Sequence, residues 1–421
     1  MYNSTLPSPF VLPAEWEPQS AIMLTWPHAG TDWKPYLPQI TNTYLQLADI
    51  ITRYEQLLVA TPDVDSTRRL LHGALSSEQM NRVHLYEVES NDTWARDHGP
   101  ITMVMRKKQN TWMTPIRLLD FKFNGWGEKF RWEKDNAITL QLYYKAAFNA
   151  DLENHQGFIL EGGSIESDGK GTLFTTSQCL LAPHRNQPFD RENIDHLLKT
   201  FFNLRQVVWL DHGNLIGDDT DGHIDTIVRV APHDTLLYIG CENPNDEQYE
   251  DFQALEKQLQ GLLTFEGYPY RLLKLPMPDP IYDNGKQLVT KAQDGTLRDA
   301  FTDEPYEEKK IGKEIGCSKD CLNDCEKKCK TISLGDRLPA TYANFLILNK
   351  AVIYPTYNQP EKDEEAKRQI QQAFPDREII GVDSLTIIRQ HGSIHCLTMQ
   401  LPKGAIKGDS LEQPASSAWQ P

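Results

Sequence analysis

Five short polar clusters, each heading a strand–turn–strand pattern, recur along the chain and restrict it to a repeated architecture. The first is the run 91–100, with Trp94 and Asp97, ahead of apolar runs at 101–105 and 112–119. The second is Leu160-Glu161-Gly162-Gly163-Ser164, followed by a turn at Asp168-Gly169 and a run at 172–181. The third is Gly222-His223-Ile224-Asp225, continuing through 227–230, a turn at 232–234 and a run at 235–239. The fourth, 339–344, ends in Asn344 and leads into 345–348, a turn at Asn349-Lys350 and 351–354. The fifth is Gly392-Ser393-Ile394-His395-Cys396, at the start of an alternating run.

The spacing of the clusters is informative. Asp97 to Glu161 is 64 residues, Glu161 to His223 is 62, His223 to Asn344 is 121 and Asn344 to Cys396 is 52. The steps become roughly even if the longest contains an insertion of about 50 residues. Residues 284–335 supply it: alternation gives way to charge and to four closely spaced cysteines. The pattern predicts about five related units, each bringing one cluster to a common centre. A single propeller-like α/β domain over 13–402 fits better than two independent domains. Residues 1–12 read as an arm and 403–421 as a polar tail without periodicity.

Helices lie between the strand-like runs. Ile40, Tyr44, Leu47, Ile51, Tyr54 and Leu58 recur at steps of three or four and share one face. Further helices are expected at 190–202, 246–262 and 362–374, the last with acidic residues at its dipole-positive start and Pro375 at its end.

Composition narrows the function classes. With 421 residues the chain can bury a full core without covalent staples. A net charge of −16 argues against a nucleic-acid partner and suits a small cationic one. No apolar run approaches the roughly 18 residues of a membrane span. The first residues lack a basic segment followed by an apolar one, so no secretory signal is expected. Seven cysteines are too few for a disulfide scaffold, and a reducing, cytoplasmic setting is the expectation.

A lone thiol at Cys396, with His223 and carboxylates elsewhere, is the footprint of a cysteine nucleophile. Each residue also has a plain explanation. A lone strand cysteine is commonly a small core residue. His223 and Asp225, two residues apart on a strand-like run, are compatible with half a metal site or an exposed face. Trp94 reads equally as core, and Asp97 and Glu161, each close before glycine, as turn caps. What favours the functional reading is that five such clusters head five similar units.

These residues resemble the agmatine deiminase and bacterial peptidylarginine deiminase family. The resemblance is carried by 12–19, 91–100, 123–127, 161–167, 217–225, 339–345 and 392–396, in order from about residue 12 to 402. It implies the pentein fold, a pseudo-fivefold α/β propeller, in agreement with the five units counted from spacing. It also implies hydrolysis of agmatine to N-carbamoylputrescine and ammonia through an amidino-cysteine intermediate. Asp97 and Asp225 match the carboxylates that bind the guanidinium, Cys396 the nucleophile, and His223 the general acid and then base. Trp94 would lie against the substrate, Asn344 near the reacting centre, and Glu161 would orient its neighbours. Asp219, in the acidic run 218–221, is the candidate for the far ammonium; a solvated acidic turn fits it equally. The resemblance implies no cofactor and no active-site metal, a place in polyamine biosynthesis, and a homo-oligomer. Deimination of peptidyl-arginine is the alternative substrate reading, kept open by Lys122. A non-enzymatic metal- or partner-binding module using the cysteine-rich insertion is the alternative in a different class.

The insertion departs from the family pattern. Cys317, Cys321, Cys325 and Cys329 recur every fourth residue, a drifting stripe on a helix. Adjacent pairs suit a soft metal, but four on one straight helix cannot surround a single ion. Metal binding, disulfides or a partner-facing stripe, and a plain surface insertion all remain open. The segment is expected to be dispensable for chemistry and to lie near the mouth of the site.

Overall fold

The computed structural model describes residues 9–106, 115–285, 287–306 and 334–407. Among these residues, five of the six sheets share one plan: an antiparallel hairpin, a helix, and a return strand parallel to the second hairpin strand. In the first unit the hairpin Ile101–Met105 and Ile116–Lys122 receives Asp151–Ile159. In the second, Ile165–Ser167 and Thr172–Thr176 receive Gln206–Leu210. In the third, Val228–Ala231 and Thr235–Gly240 receive Arg271–Pro276. In the fourth, Leu346–Ile347 and Ala351–Thr356 receive Glu378–Asp383. The fifth joins the two ends of the chain: Thr398–Pro402 pairs with Gln19–Thr25, which receives Gln56–Thr61 and then Val83–Glu87.

Local chemistry explains the elements. Helix Leu37–Tyr54 buries Ile40, Tyr44, Leu47 and Ile51 completely, the face expected from their spacing. Each such burial contributes roughly 1.5–3 kcal/mol. Helix Arg191–Phe202 starts at a capping box, where Asp190 Oδ1 accepts from the Asn193 N–H at 2.9 Å. It ends at Asn203 in the left-handed region, φ 54°. Helix Pro360–Ala373 begins two residues earlier than expected, because proline fits the first turn where no N–H is needed. Helix Tyr249–Gln260 is shorter at both ends than expected.

The polar clusters differ from expectation in conformation. His223 and Asp225 do not lie on a strand; residues Ile224–Thr226 form a 3₁₀ turn that precedes the hairpin. The His223 N–H donates to Thr220 Oγ1 (3.1 Å), and Thr226 Oγ1 donates to the His223 carbonyl (2.7 Å). Such side-chain bonds to backbone compete with strand pairing. Glu161 likewise leads into a 3₁₀ turn, Gly162–Ser164, and Cys396 ends a turn before strand Thr398–Pro402.

Within 284–335 the described residues, 284–285, 287–306 and 334–335, include regular structure that their composition does not suggest. Strands Leu288–Lys291 and Leu297–Asp299 form an antiparallel sheet with Ile281–Asp283 and Asp336–Arg337. Strands of two to four residues are too short to show a period in sequence. Cys317, Cys321, Cys325 and Cys329 lie outside the described residues.

Candidate active site

The turn carrying Cys396 is held from two sides. The Cys396 N–H donates to Asn344 Oδ1 (3.2 Å), the His395 N–H to the Asn344 carbonyl (3.1 Å), and the Arg96 N–H to the Cys396 carbonyl (3.1 Å). Gly392 lets the turn close, since a Cβ there would collide with the Trp94 ring. The Cys396 sulfur lies 3.4 Å from Asn344 Oδ1 and 3.8 Å from Asp225 Oδ2. Asn344 therefore positions Cys396 through both backbone and sulfur. Its Nδ2 donates to the Asp225 carbonyl at 3.3 Å.

Asp97 is fixed by two donors. Its Oδ1 accepts from the Gly163 N–H at 3.0 Å and its Oδ2 from Trp126 Nε1 at 2.9 Å, with His223 Nδ1 3.6 Å away. Gly163 is the meeting point of the site. A Cβ on it would lie 2.6 Å from His223 Nδ1, 2.9 Å from Asp97 Oδ1 and 3.1 Å from Asp225 Oδ2. No side chain fits where these three groups converge. Asp225 turns Oδ2 to His395 Nδ1 at 2.7 Å, while its buried Oδ1 makes no hydrogen bond among the described residues.

The electrostatics follow from burial and from carboxylate crowding. Burial raises Asp97 to about 6, with Asp225 adding to the rise and His223 opposing it. Burial also acts on Asp225, but the bond and charge of His395 outweigh it and hold that carboxyl below its ordinary range. For His223 burial alone would favour the neutral ring. Asp97, with Cys179 and Glu161 behind it, reverses this and holds the imidazole well above its ordinary pKa. Burial, Asp225 and Asp97 all push the Cys396 thiol well above its ordinary value. The protein's own groups therefore favour an imidazolium at His223 and a protonated sulfur at Cys396.

A cavity of about 220 Å³ opens onto Cys396 and Asp97, with Trp94 and Trp126 in its wall and Phe130, 41 % exposed, among its lining. Asp219 and Asp92 also line it, raised by burial to about 6 and about 7 respectively. Arg389 is a cation in the wall, and its Nη1 is engaged by Asp283 (3.0 Å) and the Tyr36 hydroxyl (2.9 Å). Lys122 Nζ instead sits 5.2 Å from the Trp132 ring centroid.

Glu161 is placed differently from a residue in the substrate cavity. It is fully buried, its Oε1 pairs with Arg185 Nε at 2.8 Å, and its carboxylate stands beside Cys179 and His223. It supports the imidazole from behind. Glu161, Cys179 and His223 are close enough to bracket a metal ion, as are Glu15, Glu166 and His395. Arginine already occupies both sets: Arg185 holds Glu161, and Arg229 holds Glu15 (2.5 Å) and Glu166 (2.6 Å).

Sequence reasoning missed His395, Glu15, Arg229, Arg185 and the role of Gly163. Glu15 and His395 both stand in segments that carry the family resemblance, and His395 adjoins Cys396; those were the available signals.

The sequence model of the Porphyromonas-type peptidyl-arginine deiminase family matches residues 11–402. A Marinomonas sp. (strain MWYL1) protein named "Putative agmatine deiminase" is 31% identical, over 96% of this chain and 97% of its own length. A crystal structure of the "Putative Arginine Deiminase" of Porphyromonas gingivalis superposes with a TM-score of 0.76 at 39% identity, covering 94% of this chain and 100% of that one. A C. jejuni agmatine deiminase with substrate bound superposes with a TM-score of 0.73 at 32% identity, covering 94% of this chain and 97% of that one.

Proposed function

This chain belongs to the Porphyromonas-type peptidyl-arginine deiminase family, and from that premise we propose that it hydrolyses agmatine to N-carbamoylputrescine and ammonia through a covalent amidino-cysteine intermediate. The observation that carries the reading is the buried thiol of Cys396, 3.8 Å from one carboxylate of a site that also holds Asp97 and an imidazole. Such a site lacks a planar cation with several donors, which is what a guanidinium supplies.

The reaction follows from these positions. Asp97 and the free Oδ1 of Asp225 receive the guanidinium N–H groups. An ordinary thiol of pKa ~8.5 is only about 3% ionised at pH 7, and here the fraction is lower still. The substrate reverses this: a cation about 4 Å from sulfur contributes roughly 4 kcal/mol at an effective dielectric near 20, about three pK units. As the cation binds, the thiol proton of Cys396 passes to solvent water, and the thiolate attacks the guanidinium carbon. His223 donates its proton to one departing nitrogen, which leaves as ammonia, and the carbon stays bonded to sulfur. The now neutral His223 takes a proton from water. The resulting hydroxide adds to the same carbon, the C–S bond breaks with its electron pair returning to sulfur, and the hydroxyl proton passes to Cys396, so that N-carbamoylputrescine leaves with the thiol and the His223 imidazolium restored.

Agmatine is favoured over peptidyl-arginine by the cavity. Asp219 offers negative charge to a far ammonium, as does Asp92 once the approaching cation favours its ionised form, and Arg389, which would receive a carboxylate, is held by Asp283. We also propose that the five like sheets are the blades of a pseudo-fivefold propeller forming one catalytic domain over 13–402. Its support is that Asp97, Gly163, Asp225, Asn344 and Cys396 come from five successive units and meet in one site. Ammonia release from agmatine, arginine and a peptide with C-terminal arginine tests the substrate. The expected result is a kcat/KM at least about a hundredfold higher for agmatine, the scale set by an unpaired buried charge. Preference for the peptide would overturn it.

A further inference from the structure

A chain of buried charges runs from Asp225 away from the substrate cavity. Asp225 Oδ2 meets His395 Nδ1 at 2.7 Å, and His395 Nε2 lies 2.9 and 3.0 Å from the two Glu15 oxygens. Glu15 is in turn paired with Arg96 (2.8 Å) and Arg229 (2.5 Å). The side chains of Asp225, His395 and Arg229 are completely buried. The groups facing Asp225 are therefore His395, Arg229 and His223, which favour its charge, and Asp97 and the Cys396 sulfur, which gain nothing from it.

We propose that His395, fixed by Glu15, is a positioning residue that keeps Asp225 ionised and turned so that Oδ1 faces the substrate; this rests on the guanidinium reading given above. A carboxylate has two oxygens and free rotation about its last torsion. Binding one oxygen to an immobile ring N–H fixes where the other points. The ring cannot swing away, because its second nitrogen is held by Glu15 and its backbone by Asn344. A carboxyl buried beside Asp97 would otherwise take up a proton, and a neutral acid does not hold a guanidinium. The device also makes the segment around Glu15 part of the site, although it contributes nothing to the cavity wall around Cys396.

The test is a set of pH–rate profiles on agmatine for the parent protein, His395→Ala, His395→Asn and Glu15→Gln. Removing the ring removes the group that depresses the Asp225 pKa, so that carboxyl protonates at higher pH. The acid limb of kcat/KM then moves upward, and KM rises about tenfold or more while kcat changes less, as expected for a lost bond to a charged group. Asparagine places a donor near Nδ1, so His395→Asn restores most of the KM. Glu15→Gln shifts KM and the limb in the same direction. A folded His395→Ala protein with unchanged KM and acid limb overturns the proposal, as does loss of kcat alone, which would mark His395 as a participant in proton transfer. If His395→Ala does not fold, the asparagine and Glu15 variants decide by the same two readouts. A parent protein that neither turns over nor binds agmatine would reject the functional reading, and this inference with it; an active parent with indifferent variants rejects the inference alone.

Discussion

Cys396 is surrounded by acids, and that sets its behaviour without substrate. Because its pKa is raised, alkylation by neutral iodoacetamide should be slow near neutral pH and accelerate only above the ordinary thiol range. Fast alkylation at neutral pH, at a rate typical of an activated thiol, would contradict the proposed ordering of charge. Gly163 makes an equally local prediction. A methyl group there would stand 2.6 Å from His223 Nδ1 and displace it or Asp97. Gly163→Ala should lower kcat/KM by about a hundredfold or more, the cost of an ångström-scale misplacement. Far-ultraviolet circular dichroism should stay unchanged; full activity in the variant would show that the three groups do not need this gap. Cys396, His223, Asp97 and Asp225 were legible in the sequence because each stands in a polar cluster ahead of an apolar run. His395 and Glu15 were not, because their contact spans 380 residues and no local pattern reports it. The role of Gly163 is a matter of absent volume, which spacing does not reveal.

At the scale of elements, helices were legible where one face is apolar and a cap marks the start. Asp190 is such a cap and lies away from the site. Asp190→Ala should cost about 1 kcal/mol in denaturant unfolding and leave kcat unchanged. An altered kcat would mean that helix Arg191–Phe202 communicates with the site in a way the packing does not show. The turns holding His223, Asp225 and Glu161 were read as strand-like or hairpin-like because their neighbours alternate. Threonine and serine bonds to the backbone decided otherwise. The small sheet at 281–337 illustrates the reverse case, regular structure with no readable period. It bears on function through Asp283, which holds Arg389 at the cavity wall. Asp283→Ala frees that guanidinium beside the bound cation. The expected outcome is a severalfold higher KM for agmatine with little change in kcat, since a partly buried like charge weakens ground-state and transition-state binding alike. An unchanged KM would place Arg389 outside the reach of substrate.

For the whole molecule, the five-unit plan was legible from the even spacing of clusters, while the joining of both chain ends in one sheet was not. Spacing counts units but says nothing about which strand completes the last one, and Thr398–Pro402 finds its partner in Gln19–Thr25. The same crowding of acids that shapes the site affects stability. Burial raises Asp135 to about 8, and its carboxyl accepts from the Asn91 and Asp92 N–H groups. An acid whose folded pKa lies above its unfolded value of about 3.9 stabilises the fold at low pH, and that contribution is lost as pH rises to about 8. Melting temperature should therefore fall between pH 6 and 8.5, and Asp135→Asn should flatten the fall. A melting temperature that rises over that range would contradict the burial of neutral carboxyls.

The central claim is that Cys396 carries the substrate carbon covalently. Rapid acid quench during agmatine turnover, followed by mass spectrometry of the peptides, tests it directly. The account predicts an adduct with the mass of agmatine less ammonia on the peptide containing Cys396, and neither adduct nor turnover in Cys396→Ala. Turnover that persists in Cys396→Ala, or an adduct on Cys179 instead, would contradict it.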